Sequence, residues 1–323
     1  MSKVLVIVVT YNGLPWLERC LGSVQSDLYV WDNASTDGSA DYVAEHFPQA
    51  HLVRSSENAL FARPNNEGLR WALDHGYDYA YLLNQDASLE PGALETLLAA
   101  ASEHPEYAVL SPLQLAPDGS LDKNFAKTYG SAEGTHPGIA SAPLRPLPSR
   151  RARGALAMGP SLLSGRGWPE IPGRVPPSEP AKAKSLMAAH WLVNLEAVRR
   201  IGLFNEELFP LYGQDDDWCN RARYHGYKIG IIEEAKGVHD RAQRQEPKAK
   251  LIERNYRNAS LVRLADINRP LWASFLYVCL YTLVKAVKYV SLKPIGLFPG
   301  ICRQLPAICR CRASACKSAS SEN

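Results

Sequence analysis

The 323-residue chain lacks several signatures that would settle its class at once. Neither GxGxxG nor GxxxxGK[ST] occurs, so it has no Gly-rich phosphate cradle of the dinucleotide-binding or P-loop type. There is no internal repeat, which excludes a solenoid or propeller. The longest apolar-aromatic run, Leu271 to Val284, is about 14 residues, short of the roughly 20 that span a bilayer. Seven cysteines are present, four of them late (Cys302, Cys309, Cys311, Cys316). Their spacing is not of the C-x₂-C type and no His accompanies them, which argues against a zinc module. The opening Met1-Ser2-Lys3 runs into an apolar strand with no signal-peptide pattern, so a cytoplasmic location is expected. The formal net charge is only +3, and no nucleic-acid partner is expected.

The 46% hydrophobic content fits a folded protein with a real core. Over the first hundred residues, strands and helices alternate. Strands are expected at Val4 to Val9, Leu28 to Trp31, His51 to Arg54 and Tyr79 to Leu83. Helices are expected at Pro15 to Val24, after the polar loop Asp32 to Gly38 as far as about Phe47, at Asn65 to His75, and after Pro91-Gly92. This pattern implies βαβ units and a mixed, mostly parallel sheet flanked by helices, an α/β fold. From Ser131 to Lys184 the pattern dissolves into a Pro/Gly-rich insert with an arginine cluster (Arg145, Arg150, Arg151, Arg153). Such a stretch is a mobile loop, a lid, or disorder. Strands are again expected at Ser185 to Val193 and Lys228 to Ile232. Asn194 is expected to cap one helix, and the stretch Leu211 to Trp218 to enter another that His225-Gly226 closes. The chain therefore reads as an α/β domain over 1–245, C-terminal helices over 246–292, and a basic, Cys-containing tail over 293–323.

In an open α/β sheet, ligands bind beyond the carboxyl ends of the strands. Thr10-Tyr11-Asn12-Gly13 follows the first strand, Asp32 the second and Asp86 the fourth. Tyr11 and Asp32 are placed to stack on a base and accept its N–H. Asp86 suits a divalent cation that also grips a phosphate, or serves only to cap the next turn. Without a phosphate cradle, neutralisation falls to a metal and to Arg63. Asp215, Asp216 and Asp217 crowd a helix start, and Asp217 stands i,i+4 to Arg221. Trp191 and Trp218 offer faces for a sugar or belong to the core. His239 is a metal ligand or a structural histidine.

Five stretches carry a resemblance: Val9 to Gly13 (VTYNG), Trp31 to Ser39 (WDNASTDGS), Asn58 to Gly68, Leu83 to Ser88 (LNQDAS) and Tyr212 to Trp218 (YGQDDDW). Together, in this order, they resemble family 2 glycosyltransferases, in particular bacterial rhamnosyltransferase-like enzymes of O-antigen and surface-polysaccharide synthesis. The resemblance covers roughly Lys3 to Arg241, apart from the insert. It implies a GT-A fold and an inverting transfer from a nucleoside-diphosphate sugar, with dTDP-rhamnose the first guess, to a glycan or lipid-linked glycan. It assigns Asp215 as catalytic base, and Asp86 with His239 to an Mg²⁺ or Mn²⁺ site. Donor contacts fall to Thr10, Tyr11, Asn12, Asp32, Arg63, Asn66 and Asn84. The acceptor-side candidates are Trp191, Asp216, Asp217 and Trp218. Two positions depart from the pattern: Asn84 stands where the first acid of the metal motif often is, and Gln214 where an acid often precedes the base. A non-catalytic sugar-nucleotide binder and a nucleotidyltransferase are the alternatives.

The run after Pro270 has aromatics and flanking lysines. It suits a helix lying on a membrane surface, or a helix packed on the body. From Lys285 onward, seven basic residues face Glu322 alone. This composition points to a peripheral enzyme on the inner face of the cell membrane.

Overall fold

A computed structural model describes residues 2–129, 179–241, 247–289 and 291–317. The elements are, in order, β1 Val4–Thr10, α1 Leu14–Gly22, β2 Asp27–Asp32, α2 Ser39–His46, β3 His51–Arg54, α3 Ala62–Asp74, β4 Tyr79–Asn84, β5 Ala87–Leu89, α4 Ala93–Glu103, β6 Tyr107–Leu115 and α5 Lys123–Tyr129. After the insert come β7 Ala181–Lys182, β8 His190–Asn194, α6 Leu195–Ile201, α7 Gln214–Tyr224, β9 Lys228–His239, α8 Lys248–Ala265, α9 Leu271–Lys288, α10 Lys293–Cys302 and α11 Leu305–Lys317. Most of the insert, with its arginine cluster, lies outside the described residues.

Among the described residues, nine strands form one sheet in the order β3-β2-β1-β4-β8-β6-β9-β5, with β7 paired to β9. The β3-β2-β1-β4 half is wholly parallel. Beyond it, β8 runs antiparallel to both β4 and β6, and β6 is again parallel to β9. Both faces are covered, so the central strands are near-continuous apolar runs whose successive residues enter two different cores. Leu5, Ile7, Ala80 and Leu82 face a core completed by α3, α5, α6 and α7. Val6, Val8, Tyr81 and Leu83 face a second core completed by α1, α2 and α4. Gly68 of α3 lies against Ile7, where an added Cβ would stand 2.7 Å from a methyl, so the helix backbone sits directly on the sheet.

Several boundaries differ from the expectations. Ser185 to Val193 was expected as one strand, but only its end is β8. The 185–189 backbone has other partners: Ala189 O accepts from Asn84 N, and Met187 O from Gln114 Nε2. Lys228 to Ile232 is the first part of a 12-residue strand that crosses a register shift opposite Pro112–Leu113. Pro112 cannot donate to the ladder, and a bulge is where a strand proline is tolerated. The expected Asn65 to His75 helix starts earlier, at Ala62, because Phe61 N and Ala62 N both donate to Pro210 O. The short β5, and β6 and α5, had no expectation.

Residues 293–317, within the expected basic, Cys-containing tail, form α10 and α11. Ile301, Ala307 and Ile308 pack with Tyr256, Leu261, Leu264 and Val278 of α8 and α9, and with Leu208 and Phe209 of the α/β body. Arg312 donates to Leu264 O and Asp266 O, and Arg310 pairs with Glu207. The C-terminal helices therefore rest on the loop that leads into α7.

Candidate active site

The carboxyl ends of β1, β2 and β4 are level. Thr10 is in register with Asp32, and Val9 with Asn84. The chain leaves β1 through Asn12, which takes a left-handed conformation (φ 48) that Asn tolerates better than most residues. Gln85 holds this turn: its Oε1 accepts from Thr10 Oγ1 at 2.9 Å and Tyr11 N at 2.8 Å. Gly13 leaves room for this contact, since a Cβ there would stand too close to Gln85 Oε1 and Thr10 Oγ1 and displace them. Asn12 Oδ1 accepts from Thr36 N, and Asn12 N donates to Ser35 Oγ, tying the first loop to the second. Tyr11 is left 48% exposed at the edge.

Asp32 is buried. Its Oδ2 accepts from Ser35 N at 3.0 Å, while Oδ1 is buried without a hydrogen-bond partner. A buried acceptor left unpaired costs free energy, so this oxygen suits a donor supplied by a ligand.

Asp86 and His239 meet across the antiparallel pair of β5 and β9, where Ala87 is in register with His239. His239 Nε2 is 3.3 Å from Asp86 Oδ1, both side chains are nearly buried, and His239 Nδ1 has no hydrogen-bond partner. A carboxylate and an imidazole offer two donors to a divalent cation, leaving further positions for phosphate oxygens. No group of three or more His, Cys, Asp or Glu side chains with metal-site geometry exists among the described residues. The pair fits a cation that completes its shell with substrate.

Behind this pair, His190 is buried. Its Nε2 faces Val238 O, so it carries the proton there, and Nδ1 accepts from Tyr81 OH at 2.9 Å. Burial, and then the neighbouring His239, push its pKa down to about 3, so the ring is neutral. Gly237 makes room for it: a Cβ there would stand 2.7 Å from the ring. Asp122, paired to Arg241 at 2.9 Å, also faces His239. Burial opposes its charge, but the Phe125 N–H, Arg241 and the Asn124 N–H together hold its carboxyl below the usual range.

Asp215 stands in the first turn of α7. The chain enters through Tyr212 (φ 70) and Gly213 (φ 87). Burial, and then the charge of Asp216, push Asp215 up to about 7, against N–H groups that include those of Asp216 and Ala188. Ala188 thus contacts Asp215 while its neighbour Ala189 binds Asn84 N. That short segment joins the Asp215 helix to the end of β4, two residues before Asp86. Gln214, where an acid was expected, is buried with Oε1 unpartnered.

Four of the expected residues need correction. Trp191 and Trp218 are 0% and 1% exposed and pack against each other in the core, so neither offers a face to a sugar. Asp217 is buried in an ion pair with Arg221 at 3.0 Å, and Arg221 also donates to Ile201 O and Leu203 O. The pair fastens α7 to the end of α6. Asn66 is fully used in bracing α3: Nδ2 donates to Phe204 O and Glu206 Oε1, and Oδ1 accepts from Phe204 N. Arg63 lies on the surface, paired with Glu57 at 3.1 Å. Asp216 is exposed and accepts from Ser185 Oγ. The sequence reading missed Gln85, although it lies inside the Asn84 to Asp86 stretch, and Asp122, which no motif marked.

Residues 5–154 match the family model Glycosyl transferase family 2. The chain is 28% identical over 296 residues to the N-acetylglucosaminyl-diphospho-decaprenol L-rhamnosyltransferase of Mycobacterium tuberculosis, covering 84% of this chain and 87% of that one. It is 22% identical to a dTDP-rhamnosyl transferase of Shigella flexneri, covering 74% and 69%. In fold it is similar to a mannosyltransferase from Pyrobaculum calidifontis solved with GDP-Man and Mn²⁺ (TM-score 0.53, 18% identity, 99% and 88% covered). It is also similar to S. aureus TarS (TM-score 0.51, 16% identity, 86% and 69% covered). The sheet is thus similar to that of GT-A glycosyltransferases, residues 5–154 carry the match to the family 2 glycosyl transferase model, and the chain is a glycosyltransferase.

Proposed function

We propose that the protein transfers rhamnose from dTDP-rhamnose, with inversion, to a hydroxyl of a lipid-linked glycan at a membrane surface. The observation that carries this reading is the convergence of three acidic groups on one sheet edge: Asp32 with an unpaired oxygen, Asp86 against His239, and Asp215. The names of the M. tuberculosis and S. flexneri relatives support the donor and acceptor classes.

Each group has a physical task. Asp32 Oδ1 accepts an N–H of the nucleotide base, and Tyr11 stacks on it. Asp86 and His239 hold Mg²⁺ or Mn²⁺, which when bound offsets the charge that grows on the leaving diphosphate. Asp215 takes the proton of the acceptor hydroxyl as its oxygen attacks the anomeric carbon. The bond from that carbon to the nucleoside diphosphate breaks in the same displacement. A carboxyl near pKa 7 accepts a proton more strongly than an ordinary Asp and is still ionised in useful amount near neutrality.

The membrane part of the reading rests on α9. Phe275, Val278 and Tyr281 pack inward on the C-terminal core, and Thr282 Oγ1 is bonded to Tyr256 OH. The opposite face exposes Trp272, Leu276, Leu280, Leu283, Val284 and Val287 at i, i+3 and i+4 spacing, with Trp272 73% and Val287 80% exposed. By length and composition α9 could cross a membrane. With one side packed on protein, it instead lies in the interface with the other side in lipid.

The test is a thermal-shift screen of nucleotide sugars with Mn²⁺, followed by product analysis. The acceptor is N-acetylglucosaminyl diphosphate on a short prenyl chain. Transfer of rhamnose, with dTDP released, is the expected result. Pyrophosphate release would mark a nucleotidyltransferase, and binding without turnover a non-catalytic protein.

A further inference from the structure

A cavity of about 580 Å³ opens between the start of α7 and helices α8 and α9. None of the residues expected to contact the donor lines it. Its wall includes Tyr212, Asp216, Asn220, Asn258, Arg263 and Tyr277, and the size is that of a small-molecule site. Amide, carboxylate and guanidinium groups offer donors and acceptors in fixed planes, which suits the paired hydroxyls of a sugar. Tyrosine faces suit its C–H surface.

Several details show a built site. Tyr277 is stacked on Tyr281, also in the wall, with ring centres 6.0 Å apart and planes 13° off parallel. The Arg263 guanidinium lies 4.3 Å over the Tyr277 ring, and its buried Nε has no hydrogen-bond partner. Tyr212 is held at φ 70, a conformation that a bulky residue adopts only when its surroundings impose it. Position adds to chemistry. Asp216 directly follows Asp215. Tyr277 and Tyr281 each lie one residue, about 100° of helix, from Leu276 and Leu280 of the exposed apolar face. One side of the cavity is therefore beside the base, and another beside the surface read as membrane-facing.

We propose that this cavity is the acceptor subsite and binds a sugar ring of the acceptor glycan, with Arg263, Asn258 and Asp216 on its hydroxyls and Tyr277 holding the Arg263 guanidinium in place. The inference rests on the glycosyl-transfer reading, and goes beyond it in giving the C-terminal helices the acceptor.

The experiment uses the full chain and two variants, Asn258→Ala and Arg263→Gln. The acceptor KM is measured with the short-chain acceptor named above, and the dTDP dissociation constant by calorimetry. Both variants are expected to raise the acceptor KM at least tenfold, with kcat at saturating acceptor and dTDP affinity changed less than twofold. A merely structural defect would move dTDP affinity as well. Arg263→Lys keeps the charge and the packing over Tyr277 but loses the planar fork, and is expected to recover only part of the KM. Saturation-transfer NMR with methyl N-acetyl-β-D-glucosaminide and no donor keeps the two readings apart. Binding by the wild type that Arg263→Gln abolishes supports the subsite even where no transfer is detected. An unchanged acceptor KM in both alanine and glutamine variants, or glycoside binding that survives in them, overturns it.

Discussion

His239 Nε2 lies 3.3 Å from Asp86 Oδ1, a contact made by the pairing of three-residue β5 with the end of β9. That register is what brings the two proposed metal ligands together. Asp86→Ala is expected to abolish transfer and to remove the rise in melting temperature that Mn²⁺ with dTDP gives the wild type. His239→Ala should weaken metal-dependent dTDP binding without abolishing it, since the carboxylate remains. Removing a ligand that binds only the folded state lowers apparent stability by mass action, so calorimetry reads the effect without turnover. Full activity in EDTA would sink the metal site.

Asp32 gives a second test. Its buried, unpaired Oδ1 is assigned to a base N–H. Asp32→Ala should weaken dTDP by about 1–3 kcal/mol, the scale of a hydrogen bond to a charged group. Asp32→Asn keeps the shape but turns an acceptor into an amide, and should fall between. Unchanged affinity in both would place the base elsewhere.

The strand ends, and hence Tyr11, Asp32 and Asp86, were legible because β-branched and apolar runs stop abruptly at polar turns. The third core was not: the apolar residues of α10 and α11 are broken by basic ones, so 293–317 read as a tail. The burial of Trp191, Trp218 and Asn66 was also hidden, because motif membership does not say which way a side chain points. Asp217 with Arg221 was legible from i,i+4 spacing. The β5–β9 contact was not, since three residues carry no periodicity.

Asp215 predicts two pH effects. As a base it must be ionised, so kcat should fall as pH drops below about 7, where burial and Asp216 have set its pKa. Asp216→Asn removes the neighbouring charge and should move that limb to lower pH. The same shift affects stability. The folded pKa is above the ordinary aspartate value, so the folded state favours the protonated form. The stabilisation is complete below about pH 4 and is lost as pH rises through about 7. Asp215→Asn should therefore melt higher than wild type at pH 8, by about a few degrees, with the gap closing near pH 4. It should lose kcat by about 10²-fold or more with dTDP affinity nearly intact. An active Asp215→Asn would move the base elsewhere.

The exposed face of α9 yields the last prediction. Deleting the C-terminal helices would uncover Leu208 and Phe209 and remove the Arg310–Glu207 pair, so truncation confuses membrane release with unfolding. Point charges on the outer face avoid this. Leu276, Leu280 and Val287 are each more than half exposed, so replacing them removes no core packing. Leu280→Asp with Val287→Asp should leave the melting temperature within about 2 °C, because surface substitutions away from special features are usually within about 0.5 kcal/mol. It should abolish sedimentation with vesicles containing anionic lipid. Lys285 and Lys288 near the end of the helix, and Lys293 just beyond it, supply the electrostatic half, worth roughly 1 kcal/mol each close to an anionic surface. Replacing all three by Gln should weaken binding to anionic vesicles and leave binding to neutral ones unchanged, as should high salt. Apolar insertion and charge attraction are each marginal alone, so either set of changes should move most of the protein into the soluble fraction. If the double Asp variant still sediments with vesicles, α9 does not face the lipid.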